Sequence, residues 1–207
     1  MTSVITGDIV NSRGVSDPQK WLKPLKKLLA DRVEDELKWE IFRGDSFQAE
    51  ITDPAKAFEM IVLIKSTIKM IKGLDVRMAL GIGVKEGEPV NIAEARGEVY
   101  LHSGALFESL KQEKLSIALK SNDPEMDEEL NLMFQLGCIA MDNWTPNSAE
   151  IVRLSILNPT LSQTELGMLI GIRQNTVSER QKRAYLDEVL AIRDHYKKRI
   201  DHFIDKN

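Results

Sequence analysis

The sequence predicts an α/β (α+β) fold: a ferredoxin-like β-α-β-β-α-β domain over residues 1–121, a connecting helix and linker over 122–146, and an all-α unit ending in a long helix over 147–207. Three observations carry this. The hydrophobic period switches between two and about 3.6 in the order strand, helix, strand, strand, helix, strand. The pairs Asp17-Pro18, Asp53-Pro54 and Asp123-Pro124 supply a cap and a first-turn proline, the chemistry that opens helices. Beyond Trp144-Thr-Pro-Asn147 the apolar series keep helical spacing only.

The first strand runs from Ser3 to Val10 into the loop-forming Asn11-Ser12-Arg13-Gly14. Trp21, Leu22, Leu25, Leu28, Leu29 and Val33 follow at helical spacing. Pro24 removes a hydrogen bond, so it is expected to kink this helix or to move its start to about Trp21. Trp39 and Ile41, then Phe47, Ala49 and Ile51, alternate with polar residues around a turn at Arg43-Gly44-Asp45, which reads as a hairpin. The second helix buries Ala57, Phe58, Ile61, Val62, Ile64, Ile68 and Ile71 and stops at Gly73. Asp75 to Val84 alternates again as a strand. A helix near Ser103 to Gln112, a short strand over Leu115 to Leu119 and a helix from Asp123-Pro124 to about Asn143 complete the body.

Composition suits a globular chain with a sizeable core: 43% hydrophobic and 29% charged over 207 residues. The absence of 18 consecutive apolar residues excludes a spanning helix, and no membrane partner is expected. The start, Met1 to Asp8, lacks the basic and apolar regions of a signal peptide, which implies a cytoplasmic protein. A single cysteine, Cys138, excludes an internal disulfide and a multi-cysteine zinc site and reads as an inert buried thiol. His102, His195 and His202 are scattered and read as surface residues. Residues 151–207 hold 10 Lys/Arg against 7 Asp/Glu, whereas residues 1–150 hold 18 against 25. An acidic body with a basic tail confines any nucleic-acid contact to the tail.

In that tail, Ser148 to Leu157 reads as a helix stopped by Asn158-Pro159. Ser162-Gln-Thr-Glu165 is a capping box. Leu166, Leu169 and Ile170 face inward, Gly171 makes a left-handed turn, and a third helix starts near Gln174 with Val177 inward. The stretch from Leu161 to Ala184 resembles the bacterial helix-turn-helix of transcription regulators and sigma-factor C-terminal regions. Two positions depart from it. Gly167 replaces a usual alanine and is expected only to loosen packing; Arg173 replaces a usual Ser or Thr cap. The resemblance implies DNA as partner, read by Arg173, Gln174, Asn175, Thr176, Arg180 and Arg183, side chains rich in donors for base edges and phosphates. The stripe of Leu186, Val189, Leu190, Tyr196, Ile200 and Phe203 serves either packing on the body or a homodimer seam.

The body carries Gly7-Asp8-Ile9 at the end of its first strand and Arg43-Gly44-Asp45-Ser46-Phe47 at the hairpin tip. Carboxylates at those two places resemble the palm of class III nucleotidyl cyclases and diguanylate cyclases over about residues 1–120. The resemblance implies that Asp8 and Asp45 hold Mg²⁺ or Mn²⁺ against a nucleotide, because hard cations take oxygen ligands and bridge phosphate oxygens. Asn11, Ser12, Arg13, Arg43 and Gly44 are then the nearest candidates for the phosphates. Ser46 departs from the acidic residue that diguanylate cyclases carry after the aspartate. The cyclases' base-reading pair has no counterpart, and Asn91 and Arg96 match their transition-state residues poorly. Val4-Ile-Thr-Gly-Asp-Ile-Val-Asn-Ser-Arg13, Trp39-Glu-Ile-Phe-Arg-Gly-Asp-Ser-Phe-Gln48 and Asp75-Val-Arg-Met-Ala-Leu-Gly-Ile-Gly83, with the tail motif, resemble the SatD family over nearly the full length.

Three functions follow. The first is a DNA-binding transcription regulator whose palm senses a nucleotide or a divalent metal. The second is a metal-dependent nucleotidyl cyclase or nucleotidyltransferase-like enzyme. The third is a non-enzymatic scaffold touching RNA polymerase. The missing base-reading residues favour the first, with the palm not an enzyme.

Overall fold

The computed structural model describes residues 1–42, 44–87 and 91–206. The body runs β1 (Thr2–Val10), α1 (Gln19–Arg32), β2 (Trp39–Phe42), β3 (Ser46–Ile51), α2 (Ala57–Lys69), β4 (Asp75–Gly83), α3 (Glu98–Glu113), β5 (Ile117–Lys120) and α4 (Pro124–Met141). The tail adds α5 (Pro146–Leu157), α6 (Gln163–Ile170), α7 (Gln174–Arg183) and α8 (Leu186–Lys206). The strands form one mixed α/β sheet in the order β2-β3-β1-β4-β5. β1 lies in the middle, antiparallel to β3 and to β4, and β5 joins the edge parallel to β4. The central strand therefore has one neighbour from the hairpin and one from the far half of the body.

Two local details depart from the expectations. α1 begins at Gln19, where Asp17 Oδ1 accepts the Gln19 amide at 3.0 Å, and it continues through Pro24. Burial of Trp21, Leu25, Leu28 and Leu29 holds the helix despite the lost backbone bond. α3 begins at Glu98 rather than Ser103, because Gly97 turns the chain at φ +124°. Gly81 of β4 has no room for a side chain: a Cβ there would lie 2.3 Å from the Val99 carbonyl, so α3 rests directly on the strand.

α1, α2 and α4 supply one layer and α3 the other. Every residue from Met60 to Ile68 in α2 is buried, not only the apolar face read from the sequence, because α5 and α8 pack against its outer side. One apolar core runs from Ile5 and Ile9 of β1 through α1, α2 and α4 to Ala149, Val152 and Ile156 of α5 and Tyr196, Ile200 and Phe203 of α8. It is continuous across residue 146. Phe58 stacks on Phe134 with centroids 4.7 Å apart, Tyr196 lies at 5.8 and 6.1 Å from the two rings, and the Tyr196 hydroxyl donates to the Pro54 carbonyl at 2.8 Å. The α8 stripe thus packs on the chain's own body. Among the described residues no helix is long and apolar enough to cross a membrane.

Cys138 is buried on α4, and burial pushes its thiol from 9.0 up to about 12, against a smaller downward pull from Lys65. An unfolded thiol releases its proton near its ordinary pKa, so the folded state loses stability as pH rises from about 9 towards 12. At neutral pH the native protein should resist iodoacetamide and react only on unfolding. Alkylation of the native protein at the rate of a free thiol would contradict this placement.

Candidate functional site

The antiparallel register sets Asp8 of β1 opposite Arg77 of β4 and opposite Ser46 of β3. Directly paired residues share a face of the sheet, so the aspartate and the arginine meet. Arg77 Nε donates to Asp8 Oδ1 at 3.1 Å and Nη2 to Oδ2 at 2.9 Å, a bidentate pair. Asp45 follows Gly44 (φ +89°) in the hairpin turn; its carbonyl accepts the Ile9 amide at 3.0 Å, and its Oδ2 accepts the Ser12 hydroxyl at 2.6 Å. Asn11 takes a left-handed backbone (φ +64°) and its Nδ2 donates to the Gly73 carbonyl at 3.2 Å. The loop after β1 is thereby tied both to the hairpin and to the turn after α2.

These segments enclose a cleft of about 760 Å³ lined by Asp8, Asn11, Ser12, Arg13, Asp45, Lys72 and Arg77, among others. Ser12, Arg13 and Asp45 also line an adjoining lobe, shared with Gly44 and Trp21. Trp21 is 2% exposed, and its indole Nε1 is buried without a hydrogen-bond partner among the described residues. The expected residues Asp8, Asp45, Asn11, Ser12, Arg13 and Gly44 are brought to this one place. Arg43 lies outside the described residues. The Ile9 amide is taken by the Asp45 carbonyl.

A divalent cation fits this arrangement poorly. Both oxygens of Asp8 are engaged by a guanidinium, and Asp45 Oδ2 is engaged by Ser12. Among the described residues no group of three or more His, Cys, Asp or Glu is placed to hold a metal. Two cleft residues, Arg77 and Lys72, escape sequence reasoning. Arg77 is one more polar residue in an alternating strand, and only the β1–β4 register makes it a cleft residue. Lys72 follows α2, and its place depends on where that helix ends in space.

In the tail, α6 opens with the expected capping box, Ser162 Oγ to the Glu165 amide and Glu165 to the Ser162 amide, and closes on Gly171 at φ +68°. The Glu165 carboxyl lies below its ordinary range because Ser162 donates to it. Val177 is fully buried, with Ile151 and Leu166, in a small core of α5, α6 and α7. Gly167 does not loosen this core. A Cβ there would meet the Ile172 carbonyl at 2.5 Å, so glycine permits the closest approach of α6 to the turn. Leu169, expected inward, is 56% exposed.

Arg173, Gln174 and Asn175 are exposed at the start of α7, and Thr176 is half-buried. Arg173 makes no side-chain cap bond. Gln174 Nε2 donates to Gln163 Oε1 at 2.5 Å, and Gln163 in turn donates to Gln181 at 2.7 Å, which orients the start of α7 against α6. The later arginines have acidic partners: Arg180 Nη1 lies 2.8 Å from Glu150 Oε2 and Arg183 Nη2 lies 3.3 Å from Glu179 Oε2. Arg180, with 17% of its side chain exposed, holds α7 to α5; Arg183, 73% exposed, pairs within its own helix.

The model of the SatD family matches residues 3–200 of the chain. No curated protein and no solved structure matches it.

Proposed function

The chain belongs to the SatD family, and within it we propose a DNA-binding transcription regulator whose β-sheet cleft senses a phosphorylated nucleotide. The observation that carries the DNA half is the start of α7. There Arg173, Gln174 and Asn175 stand exposed on a short helix braced by α5 and α6, with the left-handed Gly171 turn before it. That is the arrangement in which a helix-turn-helix presents its second helix to a major groove. The strand order with β1 in the middle and Asp8 and Asp45 lining one cleft supports a cyclase-like palm as the sensing part. The two halves share α2: the turn that follows it lines the cleft through Lys72, and its outer side packs on α5. A ligand that shifts the turn after α2 therefore acts on the helix that braces α7.

Duplex DNA should bind with an affinity that falls steeply with salt, since each phosphate contact releases counterions. Arg173→Ala combined with Asn175→Ala should weaken binding by about 10-fold or more, taking about 1–3 kcal/mol for one good base contact. Electrophoretic mobility or anisotropy titrations at matched salt provide the measurement. A double variant that binds like the parent removes α7 as the reading helix. Arg180→Ala is the poorer probe, because it also breaks the bond to Glu150.

A further inference from the structure

We propose that the cleft beside Asp8 binds phosphate groups directly on arginine and lysine, with Arg77 standing where the palm resemblance would put a divalent metal. Asp8 is then a positioning residue for Arg77 and not a metal ligand. The inference rests on the sensing half of the proposed function and names how that site takes its ligand.

The geometry of the pair is the first support. A guanidinium presents its donors in a rigid planar fork. Asp8 occupies the Nε and Nη2 edge, which leaves Nη1 without a partner among the described residues, while Arg77 lines the cleft. The aspartate thus fixes the plane of the arginine and leaves a donor for a second anion. Charge is the second support. Arg13, Lys72 and Arg77 line the cleft against Asp8 and Asp45, an excess of one positive charge before any ligand enters. A divalent cation would add to that excess and lie against a guanidinium already seated on its ligand; a phosphate would relieve it. Arg13 and Lys72 are exposed, and no acidic side chain lies within salt-bridge distance of either among the described residues. The cleft is within the size range of small-ligand sites, about 300–1,000 Å³.

Thermal melts with inorganic pyrophosphate and with ATP, each in EDTA and in Mn²⁺, test this. Binding to the native state should raise Tm in EDTA by about 3–6 °C at ligand about tenfold above its Kd. Mn²⁺ alone should leave Tm unchanged. Arg77→Gln should abolish the shift in EDTA. Lys72→Ala, a substitution at an exposed side chain, should reduce it and keeps the test valid where Arg77→Gln fails to fold. Asp8→Asn should weaken the ligand shift without creating a need for metal. A shift that appears only with Mn²⁺ restores Asp8 and Asp45 as metal ligands and overturns the inference, as does a shift unchanged in Arg77→Gln. No shift in any arm overturns the cleft as a phosphate site. DNA titration of the same preparations separates the two failures: unaltered DNA binding without any phosphate shift leaves the DNA reading standing alone.

Discussion

Lys65→Met should lower the melting temperature by about 2–12 °C, taking about 1–3 kcal/mol for acceptors that lose a charged donor. Lys65 is fully buried in α2, yet its Nζ lies 2.7 Å from Asp75 Oδ1 and 2.7 Å from Asp142 Oδ1. Lys69 adds a second cation, 3.1 Å from Asp75 Oδ2 and donating to the Asp142 carbonyl at 2.5 Å. The cluster joins α2, the start of β4 and the end of α4. Burial pushes the Lys65 pKa down, but Asp75 and Asp142 push it up, and the net is above 10.5. A cation with a raised folded pKa contributes fully below its unfolded value, so the stabilisation is complete at neutral pH. It fades only as pH climbs above 10.5 through the folded value. Methionine keeps the volume and removes the charge, leaving Asp75 with Lys69 and Asp142 Oδ1 without its cation. Adding Asp142→Asn to Lys65→Met should recover part of the loss. A Tm for Lys65→Met within about 2 °C of the parent, less than about 1 kcal/mol at this size, would show that the cluster is not a stabilising unit.

Removal of the tail should be more damaging still. The truncated chain 1–146 should not fold cooperatively, although the body holds all the strands of the sheet. Without α5 and α8, the outer side of α2 and the rings of Phe58 and Phe134 are stripped of Ala149, Val152, Ile156, Tyr196, Ile200 and Phe203. Burying one large apolar side chain stabilises by about 1.5–3 kcal/mol. The burial that the tail supplies is therefore comparable with the whole net stability of a domain, about 5–15 kcal/mol. Circular dichroism and urea titration of the truncated chain provide the check. A sharp, reversible transition close to that of the full chain would show instead that the body folds alone.

The element order is legible because its signals are local. Asp53 and Asp123 cap as their Asp-Pro pairs indicate, the Ser162-Glu165 box forms, and Gly171 takes the left-handed backbone expected of it. The carboxylates Asp8 and Asp45 converge because each belongs to a short-range feature, a strand end and a hairpin turn, in neighbouring strands. These follow from spacing, capping and turn chemistry, which act over a few residues and leave a trace in the sequence.

Which side chains meet across the chain is decided by the tertiary structure alone. Lys65 lies on what reads as the polar side of an amphipathic helix, and only α4 and β4 folding beside it turn it into a buried cation. The α8 stripe has two uses open to it in the sequence, and packing on α2 and α4 takes it. Gly167 reads as a loosened position, yet it admits a backbone carbonyl that no side chain would tolerate. Arg77 comes to Asp8 through the register of two strands, across 69 positions of sequence. Periodicity specifies which face of an element is buried; it carries no information on the partner that buries it, because that depends on long-range register and close approach, settled only when the whole chain packs.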